Sequence, residues 1–130
     1  MKLVRSLFLL VPMCGLQPAL AETPQQMLAL YQQQAGSASA ARGEQFFLAK
    51  VVRDGKTESC ADCHTENPKA VGQTRAHKRI EPLAPVANTE RLTDPSKVEK
   101  WFKRNCKDVH GRECTPQEKA DFLAFLIAVK

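Results

Sequence analysis

Five consecutive residues near the middle of the chain, Cys60-Ala61-Asp62-Cys63-His64, limit what it can fold into more than any other feature. This spacing lets both thiols form thioethers with the vinyl groups along one edge of a porphyrin, while the adjacent His64 reaches the iron from the ring face. Other uses of a cysteine pair fit less well. A structural zinc site needs four ligands, and Cys106 and Cys114 are separated by seven residues rather than by a short knuckle spacing. A redox dithiol of the thioredoxin kind sits in a βαβ pattern, and no segment here alternates like a strand over several residues. The expectation is one covalent haem c, attached through Cys60 and Cys63, with a neutral His64 as the proximal metal ligand. The second ring N–H of His64 should go to a backbone carbonyl that fixes its orientation. Pro82 and Pro85, in a Pro-Leu-Ala-Pro run, are placed to wall that side. Aromatic residues make up only 6% of the 130, a thin supply of large core-fillers. A flat apolar porphyrin supplies what is missing, and its binding energy then counts as folding energy.

The amino terminus reads as a secretory signal peptide over residues 1–21. Lys2 and Arg5 form its charged start, Leu7 to Met13 its apolar stretch, and Ala19-Leu20-Ala21 the small-x-small cleavage pattern before Glu22. Pro12 and Pro18 argue against a buried helix there. Val11-Pro12-Met13 is a poor lipobox before Cys14. Cleavage removes Cys14 and leaves Cys60, Cys63, Cys106 and Cys114 in an oxidising compartment, where disulfides persist. Residues 22–130 then form one monohaem domain, expected to be periplasmic. With 43% hydrophobic and 25% charged residues, the composition is that of a globular protein and excludes collagen-like and strongly disordered classes. No apolar run reaches 18 residues, so no transmembrane anchor is expected in the mature chain. A net charge of +5 without a reading motif gives no case for nucleic acid.

The pattern predicts an all-α chain of about four helices with a large irregular middle. A first helix runs from Pro24 to Gln34, capped by Thr23 and leaving at Gly36, with Met27, Leu28, Leu30 and Tyr31 as its apolar stripe. A second spans about Ala38 to Ala49, with Phe46, Phe47 and Ala49 inward, and Gly43 permits a close helix crossing. Residues 50–95 show no long period. Asp94-Pro95 starts a third helix whose Val98, Trp101 and Phe102 share a face. Thr115, Pro116 and Glu118 form a capping box for the last helix, with Phe122, Leu123, Leu126 and Ile127 as its buried face.

Electron carriers of this size usually bring a methionine to the far side of the iron from beyond the attachment motif. No methionine follows His64 here, and Met27 precedes it. His77 and His110, an open position, or a weak donor such as Asn105 or Lys107 remain. Asn105, just beyond the expected third helix, also suits a helix cap.

Several segments carry a resemblance: Gly72-Gln73-Thr74-Arg75, Ile80-Glu81-Pro82-Leu83-Ala84-Pro85, Val98-Glu99-Lys100-Trp101, Arg104-Asn105-Cys106 and Gly111-Arg112-Glu113-Cys114-Thr115-Pro116. Over about residues 24–130 the chain resembles the sphaeroides haem protein (SHP) family, high-spin, oxygen-binding relatives of class I cytochromes c. The resemblance implies the small class I cytochrome c fold around one covalently bound haem. It also implies that Asn105 is a sixth ligand in the ferric state that leaves on reduction, and that Cys106 and Cys114 form a disulfide. A bridge there is expected to stiffen the backbone just after Asn105. His110 departs from the family, which has an aliphatic residue at that place. The family also implies a dihaem cytochrome c as redox partner.

Lys97, Lys100, Lys103, Arg104, Lys107 and Arg112 cluster around the third helix and the loop after it. Some cover helix surface, others are candidates to face the haem propionates, and the rest steer an acidic partner. Arg75, with Lys78, is a candidate partner for the haem propionates, and Trp101 a candidate haem contact. The expected function is electron transfer coupled to binding of oxygen or another diatomic gas at the vacated position. The alternative is a conventional six-coordinate carrier with His110 or His77 on the iron. Turnover of oxygen or nitric oxide would make it an enzyme, but no catalytic acid or base stands out.

Overall fold

A computed structural model describes residues 21–130. Residues 1–20, which hold all but the last position of the expected signal segment, lie outside the described residues. In chain order the elements are α1 (Pro24–Gln32), α2 (Ala40–Leu48), β1 (Val51–Arg53), β2 (Lys56–Glu58), α3 (Ala61–His64), β3 (Gly72–Gln73), β4 (Arg79–Ile80), α4 (Pro95–His110) and α5 (Pro116–Ala128).

Helix α5 is the axis against which α1 and α2 pack. Its start follows from sequence: the Thr115 hydroxyl accepts from the Glu118 N–H at 3.2 Å, and the Glu118 carboxylate accepts from the Thr115 N–H at 2.8 Å. Thr23 and Gln26 build the same box on α1. On α2 the cap is Ser39. The α2–α5 crossing passes over Gly43, where a Cβ would stand 2.0 Å from the Asp121 carbonyl oxygen. Phe47 fills the space beyond, with ring centroids 5.5 Å from Phe125 and 5.9 Å from Phe122. Met27, Phe47, Leu123 and Leu126 are the largest fully buried side chains. Leu30, expected inward, is 40% exposed, and Ala49 is exposed beyond the end of α2. Helix α1 stops at Gln32 rather than Gln34. Gly36 is not its exit, but donates its N–H to Gln117 Oε1 at 2.9 Å.

The third expected helix is longer than its apolar face suggested. Asp94 caps α4, as the sequence indicates, but the helix continues past Cys106 to His110 and ends on Gly111, whose φ of 69° is the left-handed stop. Asn105 therefore lies inside a helix, neither beyond it nor at its cap. Nothing between 101 and 110 breaks a helix, and the glycine that does is at 111. Arg53 on β1 donates to the carbonyls of Lys107 (3.1 Å), which also accepts from the Gly111 N–H, and of Asp108 (2.5 Å) at that end. A Cys106–Cys114 disulfide, Cα atoms 5.6 Å apart, ties the last turns of α4 to the approach to α5.

Residues 50–95 are not wholly irregular. β1 pairs antiparallel with β2 across Asp54-Gly55, both with positive φ (51° and 74°), and β3 pairs antiparallel with β4. These ladders are two or three residues long, too short to leave an alternating pattern. The Asp-Gly pair is nonetheless a hairpin signal. A fifth helix, the four-residue α3, carries the attachment motif.

Candidate functional site

The turn before α3 is closed by its own aspartate. Ser59 N–H donates to Asp62 Oδ2 at 2.7 Å, and the N–H groups of Cys63 and His64 reach the Cys60 carbonyl at 3.3 and 3.2 Å. Strand β3 lies directly against this turn. A Cβ on Gly72 would fall 2.1 Å from the Cys63 carbonyl oxygen and 3.0 Å from the His64 Cα. Only a residue without a side chain permits that approach. Neither thiol is in a disulfide, and both are half-buried. Burial pushes the Cys60 thiol up to about 11, so it is protonated at neutral pH. Burial first, and the charge of Arg91 second, push His64 down to about 4, so its imidazole is neutral and suited to ligate a metal.

Cys60, Cys63 and His64 line a cavity of about 1060 Å³. Helix α4 supplies one wall through Val98, Trp101, Phe102 and Asn105, and α5 another through Phe122, Leu123 and Leu126. The volume lies at the upper end of the roughly 300–1,000 Å³ usual for cofactor sites. Apolar walls, two free thiols at one place and a neutral buried imidazole beside them fit a covalent haem. They fit a zinc site poorly: among the described residues no three His, Cys, Asp or Glu side chains are grouped to hold a metal ion.

Asn105 lines the same cavity from α4. It is an exposed residue, and its carboxamide makes no hydrogen bond to the described residues. Trp101 is 39% exposed, its ring 4.3 Å beneath the Arg91 guanidinium. Arg75 is at the cavity, but it pairs with Glu58 at 2.6 Å. His77 is exposed, at φ 58° in the turn between Thr74 and Lys78. His110 is not in a loop. It closes the last turn of α4, stacked on Phe46 with centroids 4.6 Å apart, and its buried Nε2 has no hydrogen-bond partner. Burial, then Arg112, lower its pKa. The ring of His64 makes no hydrogen bond to the described residues. The Pro82 carbonyl instead accepts from Arg91 Nε at 2.8 Å and Asn88 Nδ2 at 3.4 Å.

Sequence reasoning missed Gly72, Asp62 and Arg91. The glycine stands alone, and the arginine acts on carbonyls nine and ten residues upstream, so neither leaves a local pattern. Asp62, three residues after Ser59, is a recognisable local turn closure.

Comparison with known proteins identifies the fold and the family. Residues 33–126 match a family described as a domain of unknown function, DUF1924. The chain is 50% identical over 116 residues to the cytochrome c-type protein SHP of Cereibacter sphaeroides, covering 85% of this chain and 89% of that protein. It is 47% identical over 87 residues to cytochrome c'' of Methylophilus methylotrophus, covering 65% and 60%. The solved structure of oxidised SHP, an oxygen-binding cytochrome c, superposes with a TM-score of 0.77 at 47% identity, over 83% of this chain and 98% of that one. Oxidised cytochrome c'' gives 0.76 at 38% identity, over 82% and 94%. The fold assembled above is thus a cytochrome c fold, its cofactor is covalent haem c, and the chain belongs to the SHP family of c-type cytochromes.

Proposed function

We propose that this chain is an exported, periplasmic, monohaem cytochrome in which Cys60 and Cys63 hold the haem, His64 is the proximal ligand, and Asn105 is a labile far-side donor. Reduction releases that donor and lets the protein take up oxygen or another diatomic gas. Bound haem would supply a one-electron couple and a ligand-binding iron, and the chain's own residues decide which groups reach it. Asn105 Oδ1 is a hard, weak, neutral donor, better matched to ferric than to ferrous iron, so the extra electron weakens its hold. Its NH2 group is then free to donate a hydrogen bond to the gas. Val98, Phe102 and Leu126 keep the surroundings apolar.

The observation that carries this reading is the placement of Asn105, an exposed residue of α4, along the same cavity as His64 and two free thiols. SHP is an oxygen-binding cytochrome c, and the solution structure of cytochrome c'' concerns haem-ligand detachment, which fits a far side built to let go. His77 and His110 line the same cavity, His77 from an exposed turn and His110 stacked on Phe46 with its Nε2 buried, and they are the ligands of the competing six-coordinate reading. Export is supported by the signal pattern of residues 1–21 and by a Cys106–Cys114 bridge suited to an oxidising compartment. Exposed Lys100, Lys103 and Lys107 on α4 suit an acidic redox partner, for which a dihaem cytochrome c is the candidate.

Wild-type protein should give a high-spin ferric spectrum and bind carbon monoxide readily once reduced. Asn105→Ala should retain the haem, alter the ferric spectrum, and release oxygen roughly fivefold faster, for a lost hydrogen bond of about 1 kcal/mol. A low-spin wild-type spectrum indifferent to gas would overturn the assignment in favour of a six-coordinate electron carrier.

A further inference from the structure

Arg91 is a buried cation, 8% exposed. Its Nε donates to the Pro82 carbonyl at 2.8 Å and its Nη2 to the Glu81 carbonyl at 2.7 Å. Both acceptors are neutral. Among the described residues no carboxylate lies within ion-pair distance of it. The Glu81 carboxylate itself pairs with Arg79 at 2.6 Å. Nη1 has no hydrogen-bond partner among the described residues. The guanidinium lies 4.3 Å over the Trp101 ring, and Arg91, Trp101 and His64 line one cavity. Immediately after it, Leu92 is 5% exposed and holds φ at 60°, a conformation a bulky residue adopts only when its surroundings impose it.

Buried charges are ordinarily paired, because a lone one loses its hydration without recompense. Here two of the fork's nitrogens are fixed by carbonyls, the flat face is supported by an aromatic ring, and the remaining nitrogen is free at the cavity. That is a preorganised receptor for one carboxylate.

We propose that Arg91 is the anion-binding residue of this cavity and receives a haem propionate on Nη1, with Trp101 holding the guanidinium plane. The proposal rests on the cavity being the haem site. It assigns to Arg91 the role expected of Arg75, whose side chain is 68% exposed and already meets Glu58. An ion pair at this place keeps the propionate charged through the redox cycle, and it adds a fixed positive charge near the iron that favours the reduced state.

The test is potentiometry on the holoprotein across the neutral pH range, with haem attachment checked by mass. Arg91→Gln is expected to lower the midpoint potential and to make it depend on pH, as the unpaired propionate begins to take up a proton. Arg91→Lys should recover most of the wild-type potential, since it keeps the charge while losing the carbonyl clamp. Arg75→Gln, at an exposed arginine already paired with Glu58, should lower the potential less than Arg91→Gln and leave it without the new pH dependence. Haem attached but the Arg91→Gln potential unchanged, or Arg91→Lys no better than Arg91→Gln, overturns the proposal. Absence of attached haem in the wild type would instead sink the cavity assignment. If Arg91→Gln does not fold, NMR of the reduced wild-type carbon monoxide form decides: contacts between the Arg91 side chain and the propionate methylenes are expected, and their absence is equally fatal.

Discussion

Gly43 shows how little room single residues leave at the α2–α5 crossing. A methyl group there would meet the Asp121 carbonyl carbon at 2.5 Å and the Phe125 Cβ at 2.8 Å, besides the oxygen. Backbone cannot swing aside as a side-chain tip can, so Gly43→Ala should lower the unfolding free energy by about 2 kcal/mol, in the range for overpacked cores. Chemical denaturation of the holoprotein would measure it. Asp121, at the same crossing, is 4% exposed. Burial pushes its carboxyl up, but hydrogen bonds from Arg42, the Ser39 N–H and Gln117 outweigh this and hold it below the ordinary carboxylate value. A carboxyl whose pKa is lower folded than unfolded contributes fully above its unfolded pKa of about 3.9. That contribution is lost as pH falls from there through the lowered folded value. Asp121→Asn should therefore cost about 2 kcal/mol at neutral pH, as expected for charge-assisted hydrogen bonds. The gap to wild type should narrow below about pH 4. A gap that stays constant on acidification would mean that packing, not the charge, holds the crossing.

Among the elements, α4 carries Val98, Trp101, Phe102 and Asn105 along the cavity, and its true end changes what the disulfide does. Because Asn105 lies within the helix, its backbone is ordered by the helical hydrogen bonds around it. The Cys106–Cys114 bridge instead restrains the turn through Gly111. Closing a nine-residue loop is worth about 2.5 kcal/mol by chain entropy. Cys106→Ser/Cys114→Ser should lose about that much stability, with faster amide exchange at residues 107–114 and nearly unchanged exchange at Asn105. Equal loosening at Asn105 would show that the bridge holds the donor directly. Starts of elements were legible in the sequence because capping is local: Thr23, Asp94 and Thr115 each accept from an N–H three residues on. Ends were less so, since Lys107, Asp108 and Val109 allow the helix to run until Gly111 stops it. The attachment motif was legible because thioether chemistry fixes its spacing. The Arg91 clamp was not, because it joins side chain to distant carbonyls, and neither was the hairpin at Asp54-Gly55, whose ladder is shorter than one alternation can reveal.

For the molecule as a whole, the central fact is a cavity of about 1060 Å³ between α4, α5 and the attachment turn. Without haem this space is open to water on one side, and the apolar walls that α4 and α5 turn toward it lose the burial a porphyrin gives them, at roughly 25 cal/mol per Å². Against a total stability of about 5–15 kcal/mol for a domain, the polypeptide without its haem is not expected to keep these walls apart. Buried contacts that do not touch the cavity are concentrated where α1 and α2 meet α5, around Met27 and Phe47. Residual order should therefore survive there and fail along α4. A Cys60→Ala/Cys63→Ala protein is expected to lose its near-UV dichroism while keeping much of its far-UV signal, bind a hydrophobic dye and melt without a cooperative transition, the behaviour of a molten globule. Amide protection, where it persists, should be confined to α2 and the facing side of α5. A sharp, near-native transition in that variant would show that the helices define the cavity unaided and that the cofactor enters a finished fold.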